Sequence, residues 1–169
     1  MKDLKIKNFS SFYDYHYNRS LRGESVNMNK KKVWLSIKGQ QEIDDEKPET
    51  IELLTEGEFY NKNNSDYILY KETEVSGMEG TTTTIKIDGD QVSIMRLGTT
   101  NSHMVFKKGQ KKYDHYTTPY GEFVVSILTK NVDIKYDQEN QPALVHLDYY
   151  INIQGVQGSQ NTLEIEVKH

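Results

Sequence analysis

Across residues 32–167 the apolar side chains of this chain recur at every second position, the period of a half-buried β-strand. Val33, Leu35 and Ile37 alternate with polar neighbours, and Ile51, Leu53 and Phe59 resume the rhythm beyond an acidic loop at 42–49 that holds Pro48. Asn61-Lys62-Asn63-Asn64-Ser65-Asp66 reads as a turn, residues 67–73 as the next strand, and 77–80 as another turn. Thr81-Thr82-Thr83-Thr84-Ile85-Lys86-Ile87 is strongly β-prone, because branched side chains fit a pleated surface. Asp88-Gly89 is the best short hairpin signal, with Val92 and Ile94 on the return strand and Met104 and Phe106 on the one after. A turn about every ten residues predicts an antiparallel meander.

The C-terminal strands are longer. They leave from the corner Tyr116-Thr117-Thr118-Pro119-Tyr120-Gly121, where Pro119 fixes φ and Gly121 tolerates the positive φ of a tight bend. Phe123, Val125 and Ile127 are odd-numbered, whereas Val132, Ile134 and Tyr136 are even-numbered. One strand can keep both sets on the core face only through a β-bulge, expected near Lys130-Asn131. Val145, Leu147, Tyr149, Ile151 and Ile153 then hold a single face, as do Leu163, Ile165 and Val167. The fold class expected is all-β, an antiparallel up-and-down barrel of about 8–10 strands. Closure also hides strand edges that few prolines guard.

Composition narrows the chemistry. A chain of 169 residues is long enough for one domain with its own core. The absence of cysteine excludes disulfides, thiolate catalysis and cysteine-bound zinc. A net charge of −4 argues against a dedicated nucleic-acid binder. No run of about 18 apolar residues occurs, and Met1-Lys2-Asp3-Leu4-Lys5-Ile6-Lys7 lacks the apolar stretch of a secretory signal, so a cytoplasmic location is expected. Near residue 30 the chain changes character. Phe9, Phe12, Tyr13, Tyr15 and Tyr17 crowd together without a period, and Met28-Asn29-Lys30 reads like a second translation start. Residues 1–30 are therefore read as an N-terminal extension, either poorly ordered or a short helix, or else an arm whose aromatics cover a groove. Residues 31–169 form a single β-barrel domain, and the start residue is Met1 or Met28.

Several runs together carry a family resemblance. They are Thr50-Ile51-Glu52-Leu53-Leu54-Thr55-Glu56-Gly57-Glu58-Phe59-Tyr60, Thr82-Thr83-Thr84-Ile85-Lys86-Ile87, and Met104-Val105-Phe106-Lys107-Lys108-Gly109. Most specific is Tyr116-Thr117-Thr118-Pro119-Tyr120-Gly121-Glu122-Phe123, with its later companion Leu147-Asp148-Tyr149. In this order they resemble the YwiB-like family of small bacterial proteins over about residues 31–167. The resemblance implies a calycin or lipocalin-like β-barrel of unknown function. It carries over no catalytic residues.

Candidate chemistry is sparse. His16, His103, His115, His146 and His169 are the whole histidine inventory, with no pair at short metal-binding spacing, so no metal site is assigned. There is no Gly-x-Ser-x-Gly elbow and no glycine-rich phosphate loop, and Asp88 and Asp90 look like turn formers. No catalytic residue and no cofactor are expected, and the protein is read as a non-enzyme. Arg96 shares a face with Val92 and Ile94. Tyr149, Tyr136 and Thr129 likewise carry polar handles on apolar stripes, and Tyr120 rims the corner. An apolar lining with few polar groups is the make-up of a small-molecule pocket. These five are the candidate ligand contacts, although Arg96 also fits a snorkelling strand-end arginine. The favoured function is reversible binding of a small apolar or amphipathic molecule, with no membrane partner. The alternative is a protein- or RNA-interaction module built on Lys107, Lys108, Lys111, Lys112 and Tyr113, where lysines alternate with an aromatic as in some phosphate-binding surfaces.

Overall fold

The computed structural model describes residues 29–44 and 46–169; the expectations for the N-terminal extension lie outside the described residues. Ten strands follow in order. They are β1 (Lys31–Glu42), β2 (Glu49–Lys62), β3 (Ser65–Lys71), β4 (Thr81–Asp88), β5 (Gln91–Gly98), β6 (Ser102–Lys107), β7 (Lys111–Thr118), β8 (Gly121–Tyr136), β9 (Pro142–Ile153) and β10 (Ser159–Lys168). Each pairs antiparallel with its sequence neighbour except at β6–β7, and β1 also pairs with β10. The result is a nearly closed, all-β, up-and-down barrel. Among the described residues no helix is long and apolar enough to cross a membrane.

The period-two pattern places the core. Leu35, Ile68, Ile85, Ile87, Phe106, Ile127 and Leu147 are fully buried on the inner face. Turn chemistry sets the registers that bring them there. Asn63 and Asn64 both take positive φ, at 52° and 60°, which matches the two-residue turn that follows strand twist between Lys62 and Ser65. Gly89 and Asp90 join Asp88 to its partner Gln91. Pro119 and Tyr120 join Thr118 to Gly121, and Thr118 Oγ1 accepts the Tyr120 N–H at 3.1 Å.

The predicted bulge lies where the change of phase requires it. Thr129 faces Tyr149 while Asn131 faces Asp148, leaving Lys130 as the extra residue. A second irregularity follows at Lys135–Tyr136.

Closure differs from a continuous ladder at one seam. Between β6 and β7 the strands meet at a single bridge, Asn101 to Thr117, and at the turn before β7, where Gln110 N–H donates to Lys107 O at 3.0 Å. Between those points the Asp114 carboxylate accepts the backbone N–H of His103 at 2.7 Å. A side chain there does what a ladder carbonyl does elsewhere. Burial raises the Asp114 pKa and lowers that of His103, in each case as the leading cause.

Candidate functional site

Among the described residues the inner face is mostly apolar, and it carries one charged cluster. β3 carries Ile68 and Tyr70 inward, and the same parity takes Glu72 inward just past the end of the strand. Glu72 is fully enclosed, its side chain 2% exposed. It is held by Thr83 of β4, whose hydroxyl donates to Glu72 Oε1 at 2.6 Å. Opposite Thr83 in the β4–β5 register lies Arg96, and opposite Arg96 in β6 lies Ser102. Arg96 Nε is 3.8 Å from Glu72 Oε1, an ion pair too long for a hydrogen bond. The Arg96 side chain is 15% exposed, and its Nη1 reaches the Met104 thioether at 4.0 Å.

The electrostatics of two tyrosines record the same cluster. Burial pushes the Tyr70 hydroxyl far above its ordinary range; Glu72's negative charge adds to this, and Arg96 opposes it. Tyr149 of β9, partly buried with its ring 4.8 Å from Phe106 edge-on, is raised by burial and pulled back by Arg96. Five buried side-chain polar atoms remain without a hydrogen-bond partner among the described residues, Thr73 Oγ1, Arg96 Nε, Ser102 Oγ, Thr129 Oγ1 and Gln141 Oε1, and two of them, Arg96 Nε and Ser102 Oγ, belong to this cluster. Such groups are costly to leave unsatisfied, by about 1–3 kcal/mol for a neutral group and more for a charged one.

A groove of about 590 Å³ lies at the end of the barrel where the β5–β6 and β7–β8 turns sit. It runs between the 3-10 turn Glu74–Ser76 and the Thr118-Pro119-Tyr120 corner, with Thr99, Thr100 and Tyr116 along its wall. Thr100 N–H donates to Thr81 Oγ1 at 3.1 Å. Thr81 is the inward-facing residue next to Thr83 on β4. Groove and charged cluster are thus one inward step apart.

The five sequence-predicted contacts do not form one set. Arg96, Thr129 and Tyr149 face the interior. Tyr120 stands at the groove rim and is 94% exposed. Tyr136 is 43% exposed and lies near Asp66, beside the β2–β3 turn at the opposite end of the barrel. Sequence reading missed Glu72, Thr83 and Ser102. Their signal was parity: Glu72 continues Ile68 and Tyr70, Thr83 precedes Ile85 and Ile87, and Ser102 precedes Met104 and Phe106.

The basic hairpin is partly engaged. Lys107 pairs with Asp90 at 3.4 Å, and Lys111 lies 5.6 Å over the ring of Tyr113, while Lys108 is exposed and Lys112 half-buried. His146 faces Glu164 at 3.5 Å, and His115 faces Glu122 at 3.3 Å. Among the described residues, no three His, Asp or Glu side chains gather as a metal-binding group.

Comparison with known proteins agrees with the architecture. The model of a family described as a domain of unknown function, DUF1934, matches residues 35–165. The uncharacterized β-barrel protein YwiB of Bacillus subtilis (strain 168) is 28% identical over 108 residues, covering 64% of this chain and 75% of YwiB. The crystal structure of the ywiB protein from Bacillus subtilis matches with a TM-score of 0.66 at 22% identity, covering 82% of this chain and 92% of that one. At that identity the likeness concerns the fold.

Proposed function

Because the chain belongs to the DUF1934 family, whose function is unknown, we propose that it works as a calycin-like barrel that binds a small amphipathic molecule without chemical change. The observation that carries this reading is the buried Glu72–Arg96 cluster beside an open groove of about 590 Å³. Interiors of small barrels are normally filled with apolar side chains, and a buried guanidinium without an oxygen acceptor within hydrogen-bonding distance is expensive there. A polar end of a ligand entering from the groove would supply that acceptor. Arg96 and the Tyr149 hydroxyl would orient it, while Tyr116, Pro119 and Tyr120 cover the apolar part. The exterior hairpin supports an interaction surface less well, since Lys107 is already neutralised by Asp90.

Native mass spectrometry of gently purified protein tests this reading. A bound small molecule that leaves on mild activation, and is absent from an Arg96→Lys variant, is the expected result. A bare protein mass, together with no saturable uptake of any alkyl probe, would sink the binding reading.

A further inference from the structure

Resting on that reading, we infer that the site selects a ligand whose polar end is an uncharged oxygen acceptor, an amide, ester or ketone carbonyl, over a carboxylate or phosphate. The argument is one of charge. Arg96 is the cation in the cluster, and Glu72 lies 3.8 Å away and fully enclosed. Together they are close to neutral. The remaining groups around them are hydroxyls: Thr83 donating to Glu72 at 2.6 Å, Ser102 beside Arg96 in register, and Tyr70 and Tyr149.

An incoming anion would meet a cation already neutralised by a neighbouring carboxylate. It would add a net charge to a region that water reaches poorly, next to a like charge, and both effects oppose binding. A neutral carbonyl avoids this cost. Arg96 Nε and Ser102 Oγ both lack a hydrogen-bond partner, so two donors are available to one oxygen with its two lone pairs. Glu72 therefore has a role in specificity. It keeps the guanidinium in place as a donor while cancelling its attraction for anions.

The test compares octanamide, methyl octanoate and octanoate, which share an alkyl chain and differ at the polar end. Affinities are read by isothermal titration on the full chain and on Glu72→Gln, with near-ultraviolet circular dichroism confirming that the variant folds. The wild-type protein is expected to bind octanamide and methyl octanoate at least about tenfold more tightly than octanoate, given the cost of a buried unneutralised charge. Glu72→Gln unmasks the Arg96 charge, so octanoate should gain and become the preferred probe. Misfolding would expose apolar surface to all three octyl probes, so a gain confined to octanoate in a folded variant reports the charge of the site. If the wild-type protein prefers octanoate, the inference is overturned while ligand binding survives. If Glu72→Gln leaves the order unchanged, Glu72 does not set it and the inference also fails. Should none of the three bind the wild-type protein, the binding reading and the inference fall together.

Discussion

At the scale of single residues, tight backbone approach explains more than residue type does. Gly57 of β2 lies where an added Cβ would sit 2.7 Å from the Leu69 carbonyl oxygen and 2.8 Å from Leu35 Cδ1. The carbonyl belongs to the ladder and cannot turn aside. Gly57→Ala should therefore cost about 1–3 kcal/mol, as overpacking usually does. For a domain of this size that lowers the melting temperature by roughly 2–4 °C per kcal/mol. Gly39→Ala is the control, because nothing lies within 4 Å of its added Cβ. Thermal denaturation followed by circular dichroism should show Gly39→Ala unchanged or slightly stabilised; equal losses at both positions would refute the packing argument. Arg96 was legible in the sequence through its shared face with Val92 and Ile94. Glu72 was not, although it keeps the parity of Ile68 and Tyr70, because an acid near the end of the 67–73 strand, among Lys71, Thr73 and Glu74, looks like an ordinary solvated residue. Its burial arises only when β4 and β5 bring Thr83 and Arg96 beside it, and no local pattern encodes that pairing.

At the scale of elements, the strand rhythm predicted the meander, the bulge at Lys130 and the corner at Pro119, because each is a local consequence of period and turn chemistry. The β6–β7 seam was hidden. Asp114 shares a strand face with Lys112 and Tyr116 in an unremarkable strand, and only the finished barrel shows its carboxylate closing the gap to His103. The seam should also make stability pH-dependent. The folded-state pKa of Asp114 is raised, mainly by burial, above its ordinary value of 3.8, so its protonated form is favoured by folding. That contribution is fully present below about pH 4 and is lost as pH rises through the folded-state pKa. His103 acts in the opposite sense. Its pKa is lowered by burial, so the stability contributed by its neutral ring is present above about pH 6.5 and lost as pH falls. Asp114→Asn retains an oxygen to accept the His103 N–H but cannot ionise. It should melt a few degrees higher than wild type at pH 7 and no higher at pH 3.5. A variant less stable than wild type at pH 7 would mean that the seam depends on the carboxylate's charge.

At the scale of the whole molecule, the ten strands of the described residues run in simple order and bury one apolar core with the Glu72–Arg96 cluster inside it, near an open end. The sequence could foretell the barrel, because every strand repeats the same two-sided pattern. It could not separate Tyr120 from Tyr136, since both close an apolar strand stripe or corner, and only the up-and-down path puts them at opposite ends. The central claim is that Arg96 awaits an oxygen acceptor delivered from the corner groove. The most direct measurement is nitrogen-15 NMR of the arginine Nε–H groups. The chain has three arginines, so the Arg96 signal is assignable by comparison with Arg96→Lys. On addition of octanamide, the Arg96 Nε–H should shift and exchange more slowly with solvent, together with the amides of Thr99, Thr100 and Tyr120. An Arg96 signal that stays put while octanamide saturates elsewhere, for example at the Lys107–Lys112 hairpin, would contradict the claim.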